Sequence, residues 1–537
     1  MAAKLAKAKK EKENTGKLVV TSFLEYLCAL WALVFVVAVP LYMKDGYYQI
    51  GVAKYDAYAH VVVFGFPVLL LLLLLYALFS VKEKGITLQG IKSVGKSMSA
   101  TDMFVIAYMV FVLISFFASG YMKEAFWGYD GWYMGLFSQL TFVLIYFVFS
   151  RFLKDYPLVV TVLCATAMYV FTIGVLHRLE IDPIGVYSGL SIRYKSEFLS
   201  TLGQASWYSS FVAVVLPMGM FAFWYFNNKV LRVMAGLFSL VGFMTLVTQN
   251  TDSAFGGAFV SFLLLLHVSV KDARMMRRFF ETLLLFSLAP KVFYALFKMH
   301  PNTFMQWDKI STSIIVDPWM WYLAVACVLL IVIFIVLEKK QMYSVCIMKN
   351  IRNVVYGFVA AGLAGWILIL IGSSNGWLTE KIAAFAQNSS YLQWNDTWGN
   401  GRGFTWSFTV KMLDEMNWKN KLLGVGPDCY ALYGHGLYNE LIQTRWNGAI
   451  LNNAHNEWFN MFVNMGFFGG IAYLGIFVSA LVRFVKKCDK KPVLIGFAAC
   501  IAAYMAHNLF CYQQVLCTPF VFLFMALGEY QIRKKTE

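Results

Sequence analysis

The sequence predicts an all-α protein, a polytopic membrane bundle of about 14 transmembrane helices forming one integral membrane domain over residues 1–537. Three observations predict it. Of the residues, 60% are hydrophobic and 14% charged, against about 25% charged in an ordinary soluble domain, so the excess apolar surface needs lipid to face. Apolar runs such as 18–43, 60–81 and 319–338 reach or approach the roughly 20 residues that cross about 30 Å of hydrocarbon. Finally, the Lys and Arg behind the net charge of +16 gather in every second connection between runs.

Taken in order, the first run, 18–43, follows the basic stretch Lys4 to Lys17. It is too long for a signal peptide and has no small-residue cleavage site, which makes it a retained span. Runs at 59–80, 102–119, 132–150 and 157–176 lead to an outward loop, 177–206. Spans 207–226, 234–250 and 254–270 come next. The ninth, 279–298, carries Pro290 and Lys291, which favours a broken or re-entrant segment. Spans 319–338 and 354–373 then precede the long outward loop 374–455, and 456–482, 493–510 and 518–531 complete the chain. The even count is anchored by basic segments: Lys82/Lys84/Lys92/Lys96, Lys271/Arg274/Arg277/Arg278, Lys339/Lys340/Lys349/Arg352, Arg483/Lys486/Lys487/Lys490/Lys491 and Arg533/Lys534/Lys535. All such alternate connections together, the N-terminal cluster included, hold about 30 of the 45 Lys and Arg, the positive-inside asymmetry that puts both termini in the cytoplasm.

Charge used in this way is not available for nucleic acid, and no basic-aromatic module supports such binding. The nine cysteines form no CxxC pair or Cys/His metal spacing. Cys511 and Cys517 flank a short outward turn; they either pair or, more simply, stay buried as free thiols.

Long loops in compact proteins are usually functional, so chemistry is expected at the outward face. The longer loop contains Gly399-Asn-Gly-Arg-Gly-Phe-Thr-Trp406. Glycine permits tight turns and close approach to a ligand, and arginine offers a fork of donors matched to phosphate oxygens. Arg402 therefore reads either as a phosphate ligand or as an arginine among lipid headgroups. Leu422-Leu-Gly-Val-Gly-Pro-Asp428 reads as a turn. The loop ends in Asn452-Asn-Ala-His-Asn-Glu-Trp458, where an Asn cap would put His455 in the first turn of a helix. There it serves as a structural hydrogen-bond partner or as a general base, kept unprotonated by the helix dipole. Asn456, Asn460 and Asn464 share one helix face, as interhelical bonds or as the lining of a polar cavity. Gly466, Gly469 and Gly470 permit close packing. The shorter loop offers Arg178, Arg193 and Lys195 ahead of Ser200-Thr-Leu-Gly-Gln-Ala-Ser-Trp207.

Gly401-Arg-Gly-Phe-Thr-Trp406, Leu423-Gly-Val-Gly426, His455-Asn456 and Met465-Gly-Phe-Phe-Gly469, in this order and spacing, resemble the O-antigen ligase and polymerase superfamily of bacterial polytopic glycosyltransferases. Ser200 to Pro217 and His507-Asn508 add to the likeness, which covers roughly the C-terminal two-thirds. The resemblance implies a GT-C-like bundle in the bacterial plasma (inner) membrane, with short helices in the long outward loop. It implies transfer of a glycan from an undecaprenyl-diphosphate-linked donor to a glycan, lipid or protein acceptor, without metal or cofactor. Carried over, Arg402 contacts the donor diphosphate, Arg193 supplies a second positive charge, and His455 deprotonates the acceptor hydroxyl. Asn456 and Trp406 join the substrate-binding set. Two stretches depart from the pattern. Asn250-Thr-Asp-Ser253 stands where many members have a Ser-Arg pair. Ser200 to Trp207 lacks the usual Asn-Pro and lies far enough from Arg193 that Lys195 is an alternative second contact.

A transporter or flippase would instead distribute ionisable groups through the midplane. Here Glu281 and Lys291 share one segment, and Glu25 and Asp102 lie near span ends. A metal-dependent oligosaccharyltransferase would need an acidic pair in the first outward loop, where Asp45 and Asp56 are well separated. Ligase and polymerase share a donor and differ in acceptor, so both remain open.

Overall fold

The computed structural model describes residues 2–84, 98–187, 189–300, 307–387, 389, 391–445 and 450–534. Lys92, Lys96 and Lys535 of the basic segments and residues 446–449 of the long loop lie outside them.

A helix stands at each of the apolar runs: α1 (Ala2–Leu41), α2 (Ile50–Lys84), α3 (Ala100–Ala118), α4 (Leu136–Phe152), α5 (Tyr156–His177), α6 (Ala205–Tyr225), α7 (Lys229–Thr248), α8 (Ser253–Ser269), α9 (Ala273–Lys298), α10 (Trp319–Lys339), α11 (Val345–Asn375), α12 (Glu457–Lys487), α13 (Val493–His507) and α14 (Thr518–Arg533). Among the described residues, 10 helices are long and apolar enough to cross a membrane, and α4, α8 and α13 are shorter apolar helices. The protein is a multi-pass helical membrane protein. The short elements between helices include Ile192–Glu197 in the 177–206 loop, and Glu380–Gln387, Trp398–Glu415, Trp418–Leu423 and Tyr430–Arg445 in the long loop.

Packing runs in pairs: α1 on α2, α3 on α12, α4 on α14, α8 on α13, α9 on α10. Helix α13 also contacts α6, α12 and α14, and it and α14 are buried almost throughout. At the end away from the long loop, a capping box between Ser99 and Asp102 starts α3. The buried Asp102 carboxylate also accepts from Tyr146 (2.9 Å), Arg151 of α4 (3.1 Å) and Arg533 of α14. Arg483 of α12 pairs with buried Glu529 of α14 at 2.8 Å. Paired in this way, the buried carboxylates are not left uncompensated, and together these bonds tie four helix ends.

The interruption predicted in the ninth span is absent. Helix α9 runs continuously through Pro290, and the Lys291 ammonium donates to the carbonyls of Ile315 (2.8 Å) and Asp317 (2.6 Å) at the end of the short helix Lys309–Val316. A lysine within an apolar segment is thus satisfied by backbone acceptors, and the helix has no need to break. The break occurs in α12 instead, at Gly466 (φ 70°, ψ −176°).

Candidate active site

The glycines around Arg402 interrupt the helix that carries it. Gly399, Asn400 and Gly401 all take left-handed φ values, 57°, 62° and 89°, a conformation that suits Gly and is tolerated by Asn. The chain then resumes as helix from Arg402, whose guanidinium turns onto backbone. Nε and Nη2 donate to the Phe510 carbonyl at 2.9 and 2.8 Å, and Nη1 to the Gly399 carbonyl at 2.6 Å. The guanidinium is therefore held by carbonyl dipoles. Gly403 is required by contact: a methyl there would lie 1.8 Å from the Asn395 carbonyl oxygen. One turn on, Trp406 stacks over Phe510 (5.7 Å, 22°), and its indole Nε1 is buried without a partner among the described residues.

His455 lies just outside α12 rather than in its first turn, because the cap is the next residue: Asn456 accepts from the Phe459 amide at 3.1 Å. The His455 amide donates to Asn453 Oδ1 at 2.8 Å, and its backbone has φ 46°, an uncommon conformation for a residue other than glycine. Its ring meets Tyr512 edge-on at 5.4 Å. Burial first, and the Arg402 guanidinium second, push the imidazole down to about 4. Desolvation and a neighbouring cation, rather than the helix dipole that the sequence suggests, are the causes.

Arg402 and His455 meet through one short segment. Phe510 accepts from the arginine and Tyr512 packs on the histidine. That segment is fixed to α12 by Glu457, which is fully buried. Its amide donates to the Asn508 carbonyl (3.0 Å), and its carboxylate accepts from Tyr504 (2.8 Å), Tyr473 and the Asn508 amide. His507 continues the network, with Nδ1 at 2.7 Å from Asn508 Oδ1 and Nε2 at 2.8 Å from Ser209 Oγ. His507-Asn508 is visible in the sequence as part of a pattern; Phe510 and Tyr512 carry no such signal, because their role is a carbonyl and a ring edge. Cys511 and Cys517 are both free and buried.

The turn at Leu422 to Asp428 fits onto the break in α12. Val425 and Gly426 amides donate to the Val463 and Asn464 carbonyls, both at 3.1 Å, which the interrupted helix leaves unpaired. Gly424 and Gly466 make this approach possible: a methyl on Gly424 would lie 2.2 Å from the Asn464 oxygen, and one on Gly466 2.4 Å from the Leu422 carbonyl. Asp428 then accepts the amides of Tyr129 (2.8 Å) and Met134 (2.9 Å).

Where the resemblance leads to a Ser-Arg pair, the turn before α8 instead offers Asp252, bonded by Tyr391. Burial raises this carboxyl, with neighbouring Asp308 adding and Tyr391 and Arg402 opposing. An acid therefore lies within the field of Arg402 at this turn. It could be found only as a departure from the pattern.

The cations of the 177–206 loop have partners within it. Arg193 is 83% exposed and pairs with Glu197 at 3.3 Å. Lys195 pairs with Glu180 at 2.7 Å and lies over the Tyr187 ring. Buried Arg178 donates to the carbonyls of Thr248, Lys195 and Ser196 at 2.6, 3.0 and 3.0 Å, closing the loop onto the end of α7.

Residues 320–474 match the family model described as O-antigen ligase. The match spans Arg402, Trp406, His455 and Asn456, the part of the chain whose motifs carry the resemblance. No curated protein matches the chain. The match supports glycosyltransferase activity of that general kind.

Proposed function

We propose, from the O-antigen ligase match in this multi-pass membrane protein, that it transfers a glycan from undecaprenyl diphosphate to an acceptor hydroxyl at the outer face of the bacterial plasma membrane. The basic connections opposite the long loop favour cytoplasmic termini. One observation carries the reading: a neutral imidazole and a guanidinium that, among the described residues, forms no ion pair converge on Phe510 and Tyr512. The donor diphosphate binds Arg402, with Trp406 and Asn456 lining and shaping the site. The neutral ring of His455 takes the proton of the acceptor hydroxyl as its oxygen attacks the anomeric carbon. The bond from that carbon to the phosphate oxygen breaks, its electron pair leaves on the diphosphate, and Arg402 stabilises the growing charge. Of Arg193 and Lys195 in the shorter loop, Arg193 is the better second phosphate contact, since its pair with Glu197 is exposed and weak. Lys195 is committed to Glu180.

The test is His455→Ala, assayed by mass spectrometry of the surface glycan beside an insertion control. General-base loss costs about 10²–10⁴ in rate; normal transfer in this variant would remove the mechanism. Missing long chains would identify a polymerase, and accumulated unattached polymer a ligase.

A further inference from the structure

Buried polar atoms without partners are not spread evenly through the molecule. Of fourteen such side-chain atoms among the described residues, six belong to two short segments, 249–252 and 307–311. Five of those six are oxygens: Gln249 Oε1, Thr251 Oγ1, Asp252 Oδ1, Asp308 Oδ2 and Ser311 Oγ. We infer that these segments form a binding site for one calcium ion, with the Asp252 and Asp308 carboxylates as charged ligands and Gln249, Thr251 and Ser311 as neutral ones. The inference goes beyond the proposed reaction and does not depend on it; the ion takes no part in bond transfer.

The two segments are joined. Asn250, left-handed at φ 66°, turns its Oδ1 to accept the Asp308 amide at 2.8 Å. Burial, and then the Asp308 carboxyl bonded to it side chain to side chain, raise the Asp252 carboxyl. A hydrogen bond between two carboxyls needs a proton on one of them, and a cation can take the place of that proton.

Two of the neutral oxygens are sealed in. Gln249 and Ser311 are both 0% exposed. Nε2 of Gln249 donates to the Thr251 carbonyl at 3.2 Å, which places Oε1, on the same carbon, at the turn carrying Thr251 and Asp252. The Ser311 amide donates to Asp308 Oδ1 at 2.8 Å, and a helical side chain leans toward the N-terminus, so its hydroxyl points back at Asp308. The neighbouring Thr312 hydroxyl bonds to the Asp308 carbonyl at 2.8 Å; that of Ser311 has no such partner among the described residues. Buried acceptors left in this way are costly.

Ligand chemistry sets the ion. Among the described residues, no three of His, Cys, Asp and Glu gather as metal ligands, and an all-oxygen set suits a hard cation. Calcium takes about six to eight oxygens in flexible geometry, so water completes the five; magnesium demands a near-octahedral set and dehydrates reluctantly.

The site also reaches the loop of Arg402. Tyr391 bonds Asp252 through its hydroxyl, and its carbonyl accepts the indoles of Trp366 (3.0 Å) and Trp398 (3.3 Å). Trp398 leads directly into Gly399 and Arg402. A calcium ion here ties the approach to Arg402 to the facing ends of α7 and α8.

The test is equilibrium dialysis of radiolabelled calcium against the full chain in phosphatidylcholine nanodiscs, with empty nanodiscs as the blank. The expected result is one ion per chain with a Kd of about 10⁻⁴–10⁻³ M, the range of sites with few charged ligands, and weaker competition by magnesium. Asp252→Asn keeps an acceptor for Tyr391, and Asp308→Asn keeps a side-chain oxygen to cap its helix. Each should weaken calcium at least about fivefold, and Ser311→Ala at least about twofold, with the elution volume of the parent. No saturable binding above the blank would overturn the inference and leave the carboxyls sharing a proton. So would magnesium competing as well as calcium, or undiminished binding in the two Asp→Asn variants or in Ser311→Ala. The first of these outcomes is read on the parent chain, so a variant that fails to fold cannot shield the inference.

Discussion

The two large loops at the site end of the bundle are both rich in cations, and the fold treats them differently. In residues 177–206, the cations are given partners: Lys195 has Glu180, Arg193 has Glu197, and Arg178 is buried against three carbonyls. In the long loop Arg445 and Lys411 likewise face Asp396 and Glu415, but Arg402, among the described residues, is held by the carbonyls of Gly399 and Phe510 and acts on the His455 ring. The contrast teaches that a basic residue is available to an anion when dipoles fix it without cancelling its charge, as for Arg402 and not for Arg193 or Lys195, and when it is left half-buried rather than sealed in as Arg178 is.

The sharpest way to break this comparison is Arg402→Ala, which should lower transfer by about 10²–10³, the scale of losing one preorganised charge-stabilising group. Arg402→Lys should recover little, because a point charge cannot bridge two carbonyls and a diphosphate as a planar fork does. Steady-state transfer from a defined lipid-linked donor checks both. A loss as large in Arg193→Ala would reverse the ranking of the loops.

The pH profile follows in size. His455 is pushed down to about 4, so the free protein keeps its base unprotonated on lowering the pH through 6.5, and kcat/KM should begin to fall only near pH 4. Bound diphosphate counters the Arg402 field, so the acid limb of kcat should lie higher. An acid limb at about 6.5 in kcat/KM would indicate an ordinary exposed histidine.

Smaller effects belong to the shorter loop. Arg193→Ala should raise the donor KM less than about tenfold with kcat nearly unchanged, since one exposed charge contributes about 0.2–1 kcal/mol. Lys195→Ala should alter transfer less than twofold. Arg178→Ala acts on stability instead, at about 1–3 kcal/mol for each carbonyl it strands, read as a lower midpoint of thermal unfolding.

The general shape of the site was legible in sequence because its motifs are chemical. Arg402 among glycines and His455 beside Asn456 are unusual on their own, and Gly399 and Gly401 do take the backbone conformations that favour glycine. Asn456 illustrates a limit. The Asn stripe shares a face, yet Asn456 is spent as the cap, Asn460 is bonded to Ala454, and Asn464 is left with a side-chain oxygen unpartnered among the described residues. Periodicity gives direction along a helix and says nothing about which partners arrive there.

Hydropathy and charge by themselves determined that this chain is a helical membrane protein and roughly where its helices lie, because lipid leaves few other ways to satisfy a backbone; their ends were less legible, since α2 begins at Ile50 rather than 59 and α11 at Val345 rather than 354. Tertiary structure alone decided that α12 breaks at Gly466 while α9 continues through Pro290. It also decided that Phe510 and Tyr512 join an arginine to a histidine distant in the chain. The reason is physical: a helix is specified by its own residues, whereas a carbonyl's partner and a ring's neighbour are specified by whatever packs against them.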